Sequence, residues 1–187
     1  MSDAFKGDWG KRFPSYAAAA ERVLGKIRKT PVKVLVWGPR LNSDSFDKRQ
    51  RIIDHLSNGV DEVLTSEDII EAIPEQKDLH PYDAEWTHVQ MCDVLFVLIV
   101  KDRAVTGSQT EVAIFRNRPE FRQKVYLIVP EQPVSERPRG FLSQGWVSYD
   151  DARLFKYTDE QFTECTRIRA YCAEIVEQVR RTLCFSY

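Results

Sequence analysis

The chain has no C-x-x-C pair, no excess of charge of either sign, and no apolar run long enough to cross a bilayer. Each absence removes a class of function. Lys and Arg number 27 against 28 Asp and Glu, leaving a formal net charge of −1. That balance gives no global field for nucleic acid or an anionic membrane, so neither dedicated nucleic-acid binding nor membrane binding is expected. No apolar stretch approaches the roughly 18 residues of a transmembrane helix. The opening residues M-S-D-A-F-K-G-D-W-G-K contain no apolar segment resembling a secretion signal, so a cytoplasmic location is expected. Cys92, Cys165, Cys172 and Cys184 read as buried free thiols of a reducing compartment. The three histidines, His55, His80 and His88, show no metal spacing, and no metal or other cofactor is expected. His55 and His88 read as structural; His80 precedes Pro81 in a segment that can act as a lid.

What is present is a run of β-branched and apolar residues at 94–100, V-L-F-V-L-I-V. Its length and composition fit a strand buried on both faces of a parallel sheet. A polar loop follows, then Gly107-Ser108, then a short helix packed through Val112, Ala113, Ile114 and Phe115. Asp102 falls at the strand's carboxyl end and Glu111 in the helix's first turns. In open α/β sheets that crevice is where ligands bind.

The remaining chain repeats the alternation. Residues 1–13 read as a flexible or docked arm, and 14–187 as a single α/β domain. A helix starts near Ser15, rich in alanine and long side chains, and precedes the first strand. Residues 32–37, V-K-V-L-V-W, form that strand and meet the rigid turn Gly38-Pro39-Arg40. A helix over 46–56 and a short strand over 60–64 complete a βαβ unit. Weaker helices follow at 66–73 and 82–92; in the second, Trp86, Val89, Met91 and Cys92 are expected to face the sheet. The helix carrying Glu111 should run to about residue 117, ended by Pro119. A buried strand covers 125–129, and a long loop covers 130–145. An edge strand lies at 146–149 or 152–155. A long amphipathic helix spans 159–184, with Phe162, Cys165, Ile168, Cys172, Ile175, Val176, Val179 and Leu183 on one stripe. The sum is a flavodoxin-like, Rossmannoid three-layer sandwich. It has about five mostly parallel strands in order 2-1-3-4-5, an extra N-terminal helix and a long C-terminal helix. The ends of the first and third strands then meet at the switch point.

Taken as chemistry, a Glu at such a crevice is a nucleophile or base. A second carboxylate beside it suits glycosidic cleavage, whose transition state is cationic. The Gly107-Ser108 turn suits a phosphate or hydroxyl, and Glu111 also fits an ordinary first-turn acid favoured by the helix dipole. Arg40 can bind phosphate or stand as an exposed loop cation. Trp37 can stack on a base or pack against the first helix. Lys48, Arg49 and Arg51 read as a solvated helix face, as does the run Arg116, Arg118, Arg122, Lys124.

W-G-P-R at residues 37–40, and D-V-L-F-V-L-I-V-K-D followed by G-S-Q-T-E at 93–111, resemble the nucleoside 2-deoxyribosyltransferases. The resemblance covers about residues 32–129. It implies that Glu111, the Glu of the family's G-T-x-x-E block, attacks the sugar's anomeric carbon. It also implies that Asp102 contacts sugar or base. Gly38, Pro39, Arg40, Gly107, Ser108, Gln109 and Trp37 are then the substrate-binding positions. Toll/interleukin-receptor-like NAD hydrolases and cytokinin-activating phosphoribohydrolases place a Glu in a similar crevice. The sequence departs from the family at Leu35, where Tyr is usual, at Thr106, where an acid is usual, and at Ser108, where Thr is usual. The expected function is cleavage or transfer of a nucleoside or nucleotide N-glycosidic bond. NAD hydrolysis and a non-catalytic nucleotide-binding module are the alternatives. The expected partner is the small-molecule nucleoside or nucleotide, with a homo-oligomer as the further expectation; a plain interaction domain that dimerises through its long C-terminal helix is the third alternative.

Overall fold

A computed structural model of the chain describes residues 14–39, 46–57, 59, 61–100, 107–131, 153–158, 160, 162 and 165–185. Five parallel strands form one sheet in the order β2-β1-β3-β4-β5. They are β1 (Lys33–Trp37), β2 (Glu62–Leu64), β3 (Val94–Leu98), β4 (Val125–Pro130) and β5 (Leu154–Tyr157). The register pairs Trp37 with Val97 and Leu98 with Ile128, so the carboxyl ends of β1, β3 and β4 lie side by side. The expected fold class and strand order are those observed.

Seven helices flank the sheet among the described residues: α1 (Pro14–Lys29), α2 (Phe46–Leu56), α3 (Ser66–Ala72), α4 (Pro81–Met91), α5 (Gly107–Phe115), α6 (Pro119–Lys124) and α7 (Thr166–Phe185). Alternate strand residues serve opposite faces, as the period of two requires. Val34, Val36, Phe96 and Leu98 pack with Ile52 and Leu56 of α2 and with Ile168, Cys172, Ile175 and Val176 of α7. Leu35, Trp37, Leu95 and Val97 pack with Ile69 of α3, Val89 of α4, Val112 and Phe115 of α5, and Phe121 of α6. The helix after β1 therefore covers one face and the helix after β3 covers the other. That reversal defines the switch point between β1 and β3.

Several local expectations are corrected. Pro119 does not merely end a helix; it opens α6 at a position where its missing N–H costs nothing. The edge strand is Leu154–Tyr157, two residues beyond the expected 152–155. The polar segment after Ile73 is a 3-10 turn, Pro74–Asp78. His80 lies at the start of α4, where its Nδ1 accepts from the Tyr82 N–H at 3.4 Å. Met91 is exposed rather than facing the sheet. The C-terminal helix begins at Thr166, because Cys165 adopts a left-handed backbone with φ 54°. Phe162 and Cys165 still join the same core, from ahead of the helix. The loop expected over 130–145 and the alternative strand at 146–149 fall almost wholly outside the described residues, as does the arm at 1–13.

Candidate functional site

The carboxyl edge of the sheet is built first by backbone. β1 stops at Trp37 because Gly38 and Pro39 follow, and Pro39 has no N–H with which to continue a ladder. A Cβ placed on Gly38 would lie 3.3 Å from Leu98 Cβ and 3.3 Å from Arg49 Cδ. A side chain here would need Leu98 or Arg49 to give way by a few tenths of an ångström, so the protein packs closely on itself at this glycine. β3 continues beyond Leu98 as buried chain: the Ile99 N–H donates to the Ile128 carbonyl at 2.9 Å, and the Tyr157 hydroxyl donates to the Ile99 carbonyl at 2.8 Å.

The chain next enters the described structure at Gly107, which opens α5. Gly107, Ser108 and Gln109 form its first turn, and Glu111 follows as a partly buried side chain next to the buried Val112. Arg40 and Asp102, the other expected site residues, lie outside the described residues.

Trp37 does not take either expected place. Its ring is 3 % exposed, with ring centres 6.4 Å from Phe115 and 6.2 Å from Phe121. It packs under α5 and α6 on the face where Trp86 meets Phe115, not on the first helix, and it offers no open face to a base. Its Nε1–H donates to Ser66 Oγ at 3.0 Å, and the Ser66 hydroxyl donates to Glu85 Oε2 at 2.7 Å. The same carboxylate oxygen lies 3.4 Å from Nδ1 of the fully buried His88. This polar chain joins the end of β1 to α3 and α4. Sequence reasoning missed Ser66 and Glu85; the three-residue spacing of Glu85 and His88 along a helix was the available signal.

Arg49 was missed as well, and its expected solvated face is corrected. The Arg49 side chain is 4 % exposed and that of Glu67 is 46 % exposed. Two bonds join them, Nη1 to Oε2 at 3.2 Å and Nη2 to Oε1 at 3.0 Å. Its neighbours on α2 are also engaged. Arg51 donates to the Phe162 carbonyl at 3.2 Å, and the Lys48 ammonium lies 5.1 Å from the Phe162 ring centre. On the other basic run, Arg118 stacks 4.1 Å from the Trp86 ring, and Lys124 donates to three carbonyls, so neither is merely solvated.

The four cysteines are buried and free. Burial pushes the Cys92 thiol up to about 12, and burial likewise raises Cys172. Neither supplies a thiolate near neutral pH. Among the described residues no group of three His, Cys, Asp or Glu side chains is placed to hold a metal ion. Nor is any helix among them long and apolar enough to cross a membrane.

The fold defines the class: a doubly wound parallel α/β protein whose strand order reverses between β1 and β3. Comparison of the chain with protein-family models, with curated proteins and with solved structures gives no match.

Proposed function

We propose that the protein cleaves or transfers the N-glycosidic bond of a nucleoside or nucleotide, with Glu111 as the nucleophile. The observation that carries this reading is the reversal between β1 and β3, with Glu111 on the helix that follows β3. Ligands of such sheets bind outside the strands' carboxyl ends at that reversal. The G-S-Q-T-E sequence at the start of α5 and its likeness to the deoxyribosyltransferase block add to the same reading.

In the proposed reaction the Glu111 carboxylate attacks C1′ as the C1′–N bond breaks. The bonding pair leaves with the base, which is protonated as it departs. The result is a glycosyl ester on Glu111. Water, or the ring nitrogen of a second base, then attacks C1′ and frees the carboxylate. Asp102 supports the sugar or the leaving base. Arg40, Ser108 and Gln109 position the ligand, with Gly38, Pro39 and Gly107 shaping the turns around it. Trp37 acts indirectly, by holding the end of β1 through Ser66.

The test is product analysis by liquid chromatography and mass spectrometry. Wild type and Glu111→Gln are incubated with deoxynucleosides, nucleoside monophosphates and NAD, with and without an acceptor base. Free base is expected from the wild type, with the variant still folded and slower by roughly 10³-fold or more. Exchange of bases without net hydrolysis would make the protein a transferase. Intact substrates in every tube, or equal rates for both proteins, would end the proposal.

A further inference from the structure

We infer that Arg49 is an anion seat at the carboxyl edge, with Glu67 as its removable counter-ion, and that the ligand of the crevice is a nucleoside monophosphate rather than a free nucleoside. The substrate part of this inference rests on the glycosidic reading; the anion seat does not.

Among the described residues two buried guanidiniums, Arg180 and Arg49, are built differently. Arg180 pairs with the half-exposed Glu177 at 3.1 Å and also with a buried carboxylate, whereas the carboxylate paired with Arg49 is half-exposed. Arg180 and Asp61 meet at 2.6 Å, with side chains 10 % and 6 % exposed. Arg180 also donates to the Thr30 carbonyl, and Asp61 accepts from the Val32 N–H. Both halves are locked, and the pair sits at the amino edge of β1 and β2. Arg49 and Glu67 sit at the opposite edge and are built differently. The guanidinium is buried while its carboxylate partner is 46 % exposed. Helix α3 does not need Glu67 as a cap, because Thr65 and Asp68 already form a reciprocal capping box. Glu67 can therefore swing into water at little cost to the helix.

Arg49 cannot follow it. Its stem crosses the bare Cα of Gly38, and Gly38 packs in turn on Leu98 at the end of β3. The guanidinium is thereby fixed against the two strand ends that form the switch point. A buried guanidinium must keep an anionic partner. Its planar fork accepts two oxygens of a phosphate in the same way as two of a carboxylate. A phosphate entering the crevice would replace Glu67 without leaving the charge bare.

Isothermal titration calorimetry on the full chain tests this with three probes: inorganic phosphate, a deoxynucleoside, and its 5′-monophosphate. The monophosphate is expected to bind at least about tenfold more tightly than the nucleoside. Arg49→Lys keeps the charge but loses the fork. It should remove that preference while leaving nucleoside affinity within about twofold. Glu67→Gln should tighten phosphate binding, because the competing carboxylate is gone, and it carries the test if the Arg49 variant fails to fold. Equal binding of nucleoside and monophosphate by the wild type overturns the inference, and so does an Arg49 variant that weakens both alike. Nucleoside cleavage without a phosphate preference would sink this inference and leave the glycosidic reading standing. Arg49-dependent phosphate binding without any base release would do the reverse. Binding of none of the probes overturns both.

Discussion

Gly38 carries more of the site than its size suggests. It sits where β1 ends, and the space a side chain would fill is already occupied from both sides. Leu98 Cβ is fixed to a central strand and cannot retreat, and Arg49 is held at its far end by Glu67. A methyl group here must therefore displace Arg49 or part β1 from β3. Gly38→Ala is expected to cost about 1–3 kcal/mol, as overpacking of a closed site does. Urea unfolding measures it, and the loss should shrink when Arg49 is also replaced by Ala. A midpoint unmoved by the single substitution would show that the Arg49 stem yields freely. That result would weaken the picture of a guanidinium fixed at the edge.

At the scale of elements, α6 ties the end of α4 to the aromatic cluster beneath Trp37 and Phe115. It has only six residues, and Pro119 starts it. Phe121 buries into the cluster beneath Trp37 and Phe115. Lys124, its last residue, turns its ammonium to the end of α4, donating to the carbonyls of Val89, Gln90 and Cys92 at 3.2, 3.2 and 2.6 Å. Those carbonyls are among the last of a helix, which lack partners in the next turn, and a cation there also meets the negative end of the helix dipole. Lys124→Met keeps the stem and removes the donor. It is expected to cost about 1–2 kcal/mol, with faster amide exchange at Cys92, whose N–H closes the last turn on His88. Unchanged exchange at Cys92 would assign that turn's stability to packing alone.

At the scale of the whole molecule, the Arg180–Asp61 pair ties together three parts of the fold. Arg180 belongs to α7, Thr30 follows α1, and Asp61 leads into β2 while bonding the Val32 N–H ahead of β1. Lys26 adds a second link from α1, donating to the Cys184 carbonyl at 3.1 Å. Removing one member of a buried pair leaves the other charged and alone. Arg180→Ala is expected to cost about 3–5 kcal/mol, whereas Arg180→Met with Asp61→Leu should recover most of it. Both are read from denaturant midpoints. A double variant as unstable as the single one would mean that the hydrogen bonds to Thr30 and Val32, rather than the charge pairing, hold this edge.

Sequence alone determined the layered architecture. The apolar runs of β1, β3 and β4, and the stripe from Ile168 to Leu183, are local signals. Together with the alternation of strands and helices they admit few arrangements, and the observed strand order is the expected one. The position of Glu111 near the start of a helix after β3 was legible for the same reason. The partners of side chains were not. Whether Trp37 meets a ligand or a core depends on which helices cover its face, and those helices come from residues 66–124. Arg49 reads as a surface cation in its own helix and becomes a buried one only because β1 ends in a glycine beneath it and α3 brings Glu67 across. Spacing along a chain fixes which residues share a face. Only the packing of one element on another fixes what that face touches, and the charges at this edge were assigned by that packing.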